Sequence, residues 1–214
     1  MNTLATWPGR GLYAVTDGPR TDLLEAVAQA LAGGARLLQY RDESGDAPRR
    51  HAEATALLQL CRTHGVPLII DGDVALARAV GAHGVHLSGI EDDIGTVRAE
   101  LGEHAIIGVS CRGSLPCAQV ATRAGASYIS FGTFFRSPTK PLAPRVSIDL
   151  LRQSAALGVP RVAIGGITPD NGASLVEAGA EYLAAISAVF RATDVRAAAQ
   201  RFTDMYSSDQ EHPH

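Results

Sequence analysis

Eight short apolar runs, each separated from the next by a segment of helical spacing, constrain this chain more than anything else in it. They cover residues 12–16, 35–41, 66–71, 84–88, 105–111, 128–134, 161–166 and 182–187. Several are nearly continuous in Val, Ile, Leu and Ala instead of alternating with polar residues, the pattern of parallel strands buried on both faces. Between them, DLLEAVAQALAGG (22–34) places apolar residues at three- and four-residue steps and stops at a glycine pair. VALARAVGAHG (74–84), CAQVATRAGA (117–126) and NGASLVEAGA (171–180) each run to a glycine ahead of the next strand. Thr168-Pro169-Asp170 reads as a helix cap followed by proline at the first helical position. Eight alternations of strand and helix predict an α/β chain folded as a single (β/α)8 TIM barrel, with an open doubly wound sheet as the alternative. No low-complexity linker interrupts the pattern, so one domain is expected over 1–206, followed by a polar tail over 207–214.

The chain's 214 residues are enough to bury one sizeable core. A net charge of −3 leaves no footprint for nucleic acid or an anionic membrane. No apolar run approaches the ~18 residues of a membrane span, and the N-terminus lacks the basic and apolar regions of a cleaved signal. Cys61, Cys111 and Cys117 form an odd set without a CxxC pair and read as reduced thiols, so a cytoplasmic location is expected. A homo-oligomer is left open.

In barrels of this kind the chemistry sits at the C-terminal ends of the strands, with phosphate often bound after strands seven and eight. GTFFRSPTK (132–140) breaks from an apolar run into a loop with two hydroxyls, Ser137 and Thr139, and a cation, Lys140. The seventh run ends in Gly165-Gly166 and the eighth in Ile186-Ser187. Hydroxyls, a lysine and exposed backbone N–H groups suit a phosphate or pyrophosphate, although the glycines would equally serve close packing. Arg41, closing the second run, would bind an anion or pair with Asp42 or Asp46. Asp71 and Asp73 are either a helix cap and a first-turn charge or carboxylates for Mg²⁺; Glu91, Asp92 and Asp93 carry the same ambiguity. His83 and His86 stand three apart on a strand and face opposite sides, which makes them a poor metal pair. His86 reads as a packed, hydrogen-bonded histidine, and Cys111 as structural.

Together these pieces resemble the thiamine phosphate synthase family. The resemblance runs from LYAVTD (12–17) to about residue 204, through LLQYRD (37–42), GVPLIID (65–71), GAHGVHL (81–87), IIGVSC (106–111), FGTFFRSPTKPLAPR (131–145), VAIGGITPDN (162–171) and AAISAVF (184–190). It implies a (β/α)8 enzyme that joins hydroxymethylpyrimidine diphosphate to thiazole phosphate, giving thiamine phosphate and pyrophosphate, with Mg²⁺. By the family pattern Gln39, Arg41 and Lys140 hold the diphosphate and Ser110 sits at the reacting centre. Ser137, Thr139, Gly166, Ile186 and Ser187 hold the thiazole phosphate.

Four positions depart from that pattern. Glu43 stands where a lysine is usual, and Asp71-Gly72 where Asn-Asp is usual, so the common metal-binding aspartate is Gly72. Ser88-Gly89-Ile90-Glu91 replaces Gly-Gln-Glu-Asp, leaving Glu91 or Asp92 as the second metal carboxylate. Arg136 replaces a common proline. A carboxylate for an ammonium beside a pyrophosphate reverses an interaction of about 4 kcal/mol at ~4 Å and an effective dielectric of ~20. Arg136 would offer replacement charge, and Asp71 or Asp73 a replacement metal ligand. The alternative is a divergent relative that keeps the thiazole-phosphate cradle without the synthase reaction. A tautomerase-like role is disfavoured because Ser110-Cys111-Arg112 lacks that enzyme's histidine, and a phosphosugar isomerase lacks a clear acid–base pair.

Overall fold

The computed structural model describes residues 7–91, 93–136 and 142–207. The eight apolar runs become eight parallel strands: β1 Gly11–Val15, β2 Leu37–Tyr40, β3 Leu68–Asp71, β4 Gly84–Leu87, β5 Ile106–Arg112, β6 Tyr128–Phe131, β7 Arg161–Ile164 and β8 Tyr182–Ala185. They pair in sequence order, and β1 closes on β8 with Gly11 opposite Tyr182 and Ala14 opposite Ala185. The closed barrel rules out the open sheet. Nine helices are assigned among the described residues. They are α1 Leu23–Ala32, α2 Ala47–His64, α3 Val74–Val80, α4 Ile94–Leu101, α5 Leu115–Arg123, α6 Asp149–Gln153, α7 Ala173–Glu177, α8 Ser187–Phe190 and α9 Val195–Ser207.

The near-continuous hydrophobicity of the strands has a simple cause: both faces are covered. Leu12, Leu38, Ile70, Val85, Ile107, Ile129 and Leu183 point outward into the layer beneath the helices. Tyr13, Val15, Leu37, Ile69, Ile106, Tyr128, Val162, Tyr182 and Ala184 fill the lumen. Burying each large lumen side chain contributes about 1.5–3 kcal/mol, provided its polar tip is satisfied. The Tyr13 and Tyr128 hydroxyls meet at 2.7 Å, and Tyr128 Oη lies 2.9 Å from His86 Nδ1. The Tyr182 hydroxyl donates to the Pro8 carbonyl, and Trp7 packs on Tyr128 and Tyr182 across the foot of the barrel. Gly108 is required here: a Cβ would stand 1.9 Å from Tyr128 Cζ.

Three local expectations differ from the structure. Thr168-Pro169-Asp170 does not open a helix; it forms a turn, and α7 begins at Ala173. The Asn171 side chain takes over the local hydrogen bonding, accepting from Thr168 N–H at 2.9 Å and donating to the Gly166 carbonyl at 3.0 Å. The eighth run does not stay extended to Ser187, because the chain turns at Ile186 and Ser187 starts α8. The sixth run likewise leaves the sheet after Phe131, short of Phe134.

Candidate active site

Alternation along the strands fixes which side chains reach the lumen near its C-terminal mouth. With Leu37 and Ile69 inside, Gln39 and Asp71 follow on the same face two residues later. Gln39 Nε2 donates to Asp71 Oδ1 at 2.8 Å. Arg41, just past β2, has its backbone N–H and carbonyl both bonded to the buried Thr16 hydroxyl, at 2.8 and 3.0 Å. Its guanidinium lies 3.6 Å from Asp71 Oδ2 and pairs with the exposed Glu43. Gln39, Arg41, Glu43 and Asp71 therefore form one connected polar group, and Glu43 occupies the cation that the family pattern assigns to a diphosphate.

The neighbouring carboxylates are engaged elsewhere. Asp73 caps α3, accepting from Leu76 N–H at 2.9 Å, and pairs with Arg50 at 2.9 Å. Asp73 thus has helix-cap geometry. Asp93 caps α4, accepting from the Thr96 hydroxyl and Gly95 N–H, bonds that hold its carboxyl below the usual range. Glu91 is exposed, and its carboxylate folds over Gly89, where a Cβ would meet Glu91 Oε2 at 1.9 Å. Among the described residues no group of three or more His, Cys, Asp or Glu converges on one point. Asp92 lies outside the described residues, as do Ser137, Thr139 and Lys140.

Ser110 pairs in register with Ser130 just before the β5–β6 ladder slips by one residue, the kind of irregularity that re-aims a side chain at a barrel rim. Adjacent Cys111 is buried and its thiol is raised by burial and by Cys117, so it is no nucleophile. His83 Nδ1 accepts from Leu68 N–H at 3.0 Å, while His86 stacks on Tyr128. Burial lowers both imidazoles, His86 to about 4, and keeps them neutral. Each histidine is a packed, hydrogen-bonded residue, as expected of His86.

On the opposite side of the mouth a cavity of about 300 Å³ opens between the ends of β7 and β8. Gly165, Gly166, Thr168, Ile186 and Ser187 line it, as does Arg136. Gly165 and Gly166 adopt φ of 104° and 65°, which only glycine tolerates readily. A Cβ on Gly166 would lie 2.3 Å from the Arg136 carbonyl oxygen. Ile186 gives α8 no side-chain cap, so its first N–H groups remain for another acceptor. Arg136 thus belongs to this cavity, whose lining includes none of Arg41, Glu43 or Asp71.

Several structural supports were missed in the sequence. Asn171 braces the glycine loop but hides inside a stretch that looks like a cap. Asp42, its carboxylate fully buried, accepts from Arg49 at 2.7 Å and from Ser44 N–H at 2.8 Å. Burial alone would raise this carboxyl, but those bonds hold it below its usual range. Arg20 reaches the Phe190 carbonyl at 2.7 Å and Asp17 at 3.4 Å, tying the end of α8 to β1. The Arg20–Phe190 contact joins residues 170 apart, which no local pattern encodes.

The model of the thiamine monophosphate synthase family matches residues 12–189. A thiamine-phosphate synthase of Thiobacillus denitrificans is 48% identical over 211 residues, covering 97% of this chain and 100% of the relative. One of Thioalkalivibrio sulfidiphilus is 49% identical over 201 residues, covering 92% and 95%. The solved thiamine phosphate pyrophosphorylase of Pyrococcus furiosus superposes with a TM-score of 0.82 at 32% identity, covering 92% of this chain and 96% of that one. With sequence, barrel and family motifs in agreement along nearly its whole length, the chain belongs to the thiamine monophosphate synthase family.

Proposed function

We propose that this barrel carries out its family's transfer, joining hydroxymethylpyrimidine diphosphate to thiazole phosphate. The observation that carries the reading is the 48% identity to a thiamine-phosphate synthase across essentially both whole chains. Phosphorylated thiamine precursors are the substrates that this kinship implies. In the reaction the bond between the pyrimidine methylene and the diphosphate oxygen breaks, and its electron pair leaves with pyrophosphate. The thiazole nitrogen lone pair then forms the new C–N bond. The protein has to hold two fragments close and stabilise charge building on the leaving group.

In this reading Gln39, Arg41 and Lys140 bind the diphosphate and Ser110 lies at the reacting carbon. Ser137, Thr139, Gly166, Ile186 and Ser187 receive the thiazole phosphate. Asp71, at the end of β3, and Glu91, in the loop after β4, are the hard oxygen donors that would hold a Mg²⁺ ion together with substrate phosphates, Asp71 giving up its contacts to Gln39 and Arg41 to do so. Such an ion supplies charge neutralisation to the departing pyrophosphate. Asp73, whose oxygens are likewise in use by α3 and Arg50, is a further candidate. Residues 1–206 act as one catalytic domain. None of the described helices is long and apolar enough to cross a membrane, and a biosynthetic enzyme of this kind fits the cytoplasm.

The test is incubation with both substrates and Mg²⁺, following product by fluorescence after oxidation. Thiamine phosphate formation is expected. If pure, folded protein gives none, a second reading takes its place: a cradle-only relative, favoured by the Glu43 carboxylate that already occupies Arg41.

A further inference from the structure

We infer that Arg136 is a specificity-determining residue for the thiazole phosphate, supplying the cationic charge of the β7–β8 cavity. The inference rests on the proposal that this cavity receives the phosphate monoester. Three observations carry it. Among the described residues that line the cavity, Arg136 is the one ionisable residue, and none is Asp or Glu. The other described lining groups are apolar side chains, glycine backbone and the hydroxyls of Thr168 and Ser187, which can hydrogen-bond a dianion but carry no charge to balance it. The backbone of Arg136 is held against the cavity wall. Phe135 N–H donates to the Gly165 carbonyl at 2.9 Å, and the missing Cβ of Gly166 lets the Phe135 and Arg136 carbonyls close in, 2.6 and 2.3 Å from where that carbon would lie. A guanidinium mounted on a fixed backbone can meet phosphate oxygens with two donors at once.

Charge in this chain is therefore redistributed between its two anion sites. Glu43 takes a positive charge from the diphosphate side, where Arg41 is already paired. Arg136 adds one on the monoester side, where the family pattern has an uncharged proline. The compensation suggested by sequence alone, with Arg136 serving the diphosphate, does not follow from where Arg136 sits.

Calorimetric titration of the full chain with each ligand tests this without requiring turnover. Arg136→Ala is expected to weaken thiazole phosphate binding by about tenfold or more, the size of one charged hydrogen bond. Binding of the pyrimidine diphosphate and of the dephosphorylated thiazole alcohol should be unchanged, and Arg136→Lys should restore part of the loss. A loss confined to the diphosphate would overturn the inference and return Arg136 to the Glu43 side; so would no loss for either ligand. Ser187→Ala and Gly166→Ala separate this idea from the one beneath it. If they weaken thiazole phosphate while Arg136→Ala does not, only the role of Arg136 fails. If none of the three variants changes thiazole phosphate binding, the monoester site itself is elsewhere and both fall.

Discussion

His86 should make this protein lose stability in mild acid, and the size of the effect follows from where the ring sits. It stacks on Tyr128 inside the barrel, and desolvation lowers its pKa from 6.5 to about 4. In the unfolded chain the imidazole titrates near its ordinary value. Between those two pH values the unfolded state binds a proton that the folded state refuses, so stability is complete above about 6.5, declines as pH falls and levels off below about 4. At about 1.4 kcal/mol per pH unit the gap is worth about 3 kcal/mol. That is an upper figure, because the ring is only partly buried. His83, also lowered by burial, adds in the same direction, so the contribution of His86 has to be isolated by difference. Urea unfolding of the wild type and His86→Gln from pH 7.5 to 4 does this. Removing the Nδ1 partner of Tyr128 costs the variant stability at neutral pH, and the expected signature is that its deficit shrinks steadily as the pH falls. Parallel profiles across that range would refute the argument, because they would mean that His86 protonates equally well in both states.

Four further outcomes are expected. Gly166→Ala puts a Cβ 2.3 Å from the Arg136 carbonyl at a φ of 65°, so steady-state kinetics should show KM for thiazole phosphate rising much more than KM for the diphosphate. Glu43→Lys with Gly72→Asp should tighten the diphosphate and lower the Mg²⁺ requirement: the first releases Arg41 from its carboxylate partner, and the second has open space around the new Cβ, although a φ of 66° strains any residue but glycine. A double variant with unchanged substrate and Mg²⁺ titrations would count against the family roles of both positions. Lys140→Ala should lower turnover with an unchanged melting temperature, while equal turnover would remove Lys140 from the mechanism. Asp42→Ala strips a buried carboxylate from Arg49 and Ser44 and should cost about 2 kcal/mol in denaturant unfolding; a loss below about 0.5 kcal/mol would show that the surrounding ion pairs carry the load.

The barrel was legible because burial on both faces writes every strand as a continuous apolar run, and eight such runs separated by helices have few other solutions. The β7–β8 cavity was legible for a related reason: Gly165-Gly166 and Ile186-Ser187, which line it, interrupt that hydrophobicity at the strand ends. What escaped was three-dimensional. Nothing in the sequence says that Arg136 lines the cavity between β7 and β8 while Glu43 folds onto Arg41, since the two lie on different loops of one rim. The Asn171 turn escaped because its side chain outcompetes an ordinary cap, a choice settled by the Gly166 carbonyl coming within reach. The buried pair of Tyr13 and Tyr128 spans 115 residues, and their phenols look like any other lumen filler until the strands are placed side by side.

The pairing of the first strand with the last has a consequence for how the protein is made. Until residues 182–185 leave the ribosome, β1 has no partner on one side and β7 has none on the other. A nascent chain that has already assembled seven strands thus carries two unsatisfied edges, each able to recruit a neighbouring chain on the same polysome. Helix α9, packed against α1 and β1, follows β8 in the chain and is made after it. Closure therefore waits for β8, and a stop codon ahead of it would yield an aggregating sheet, not a weakened enzyme.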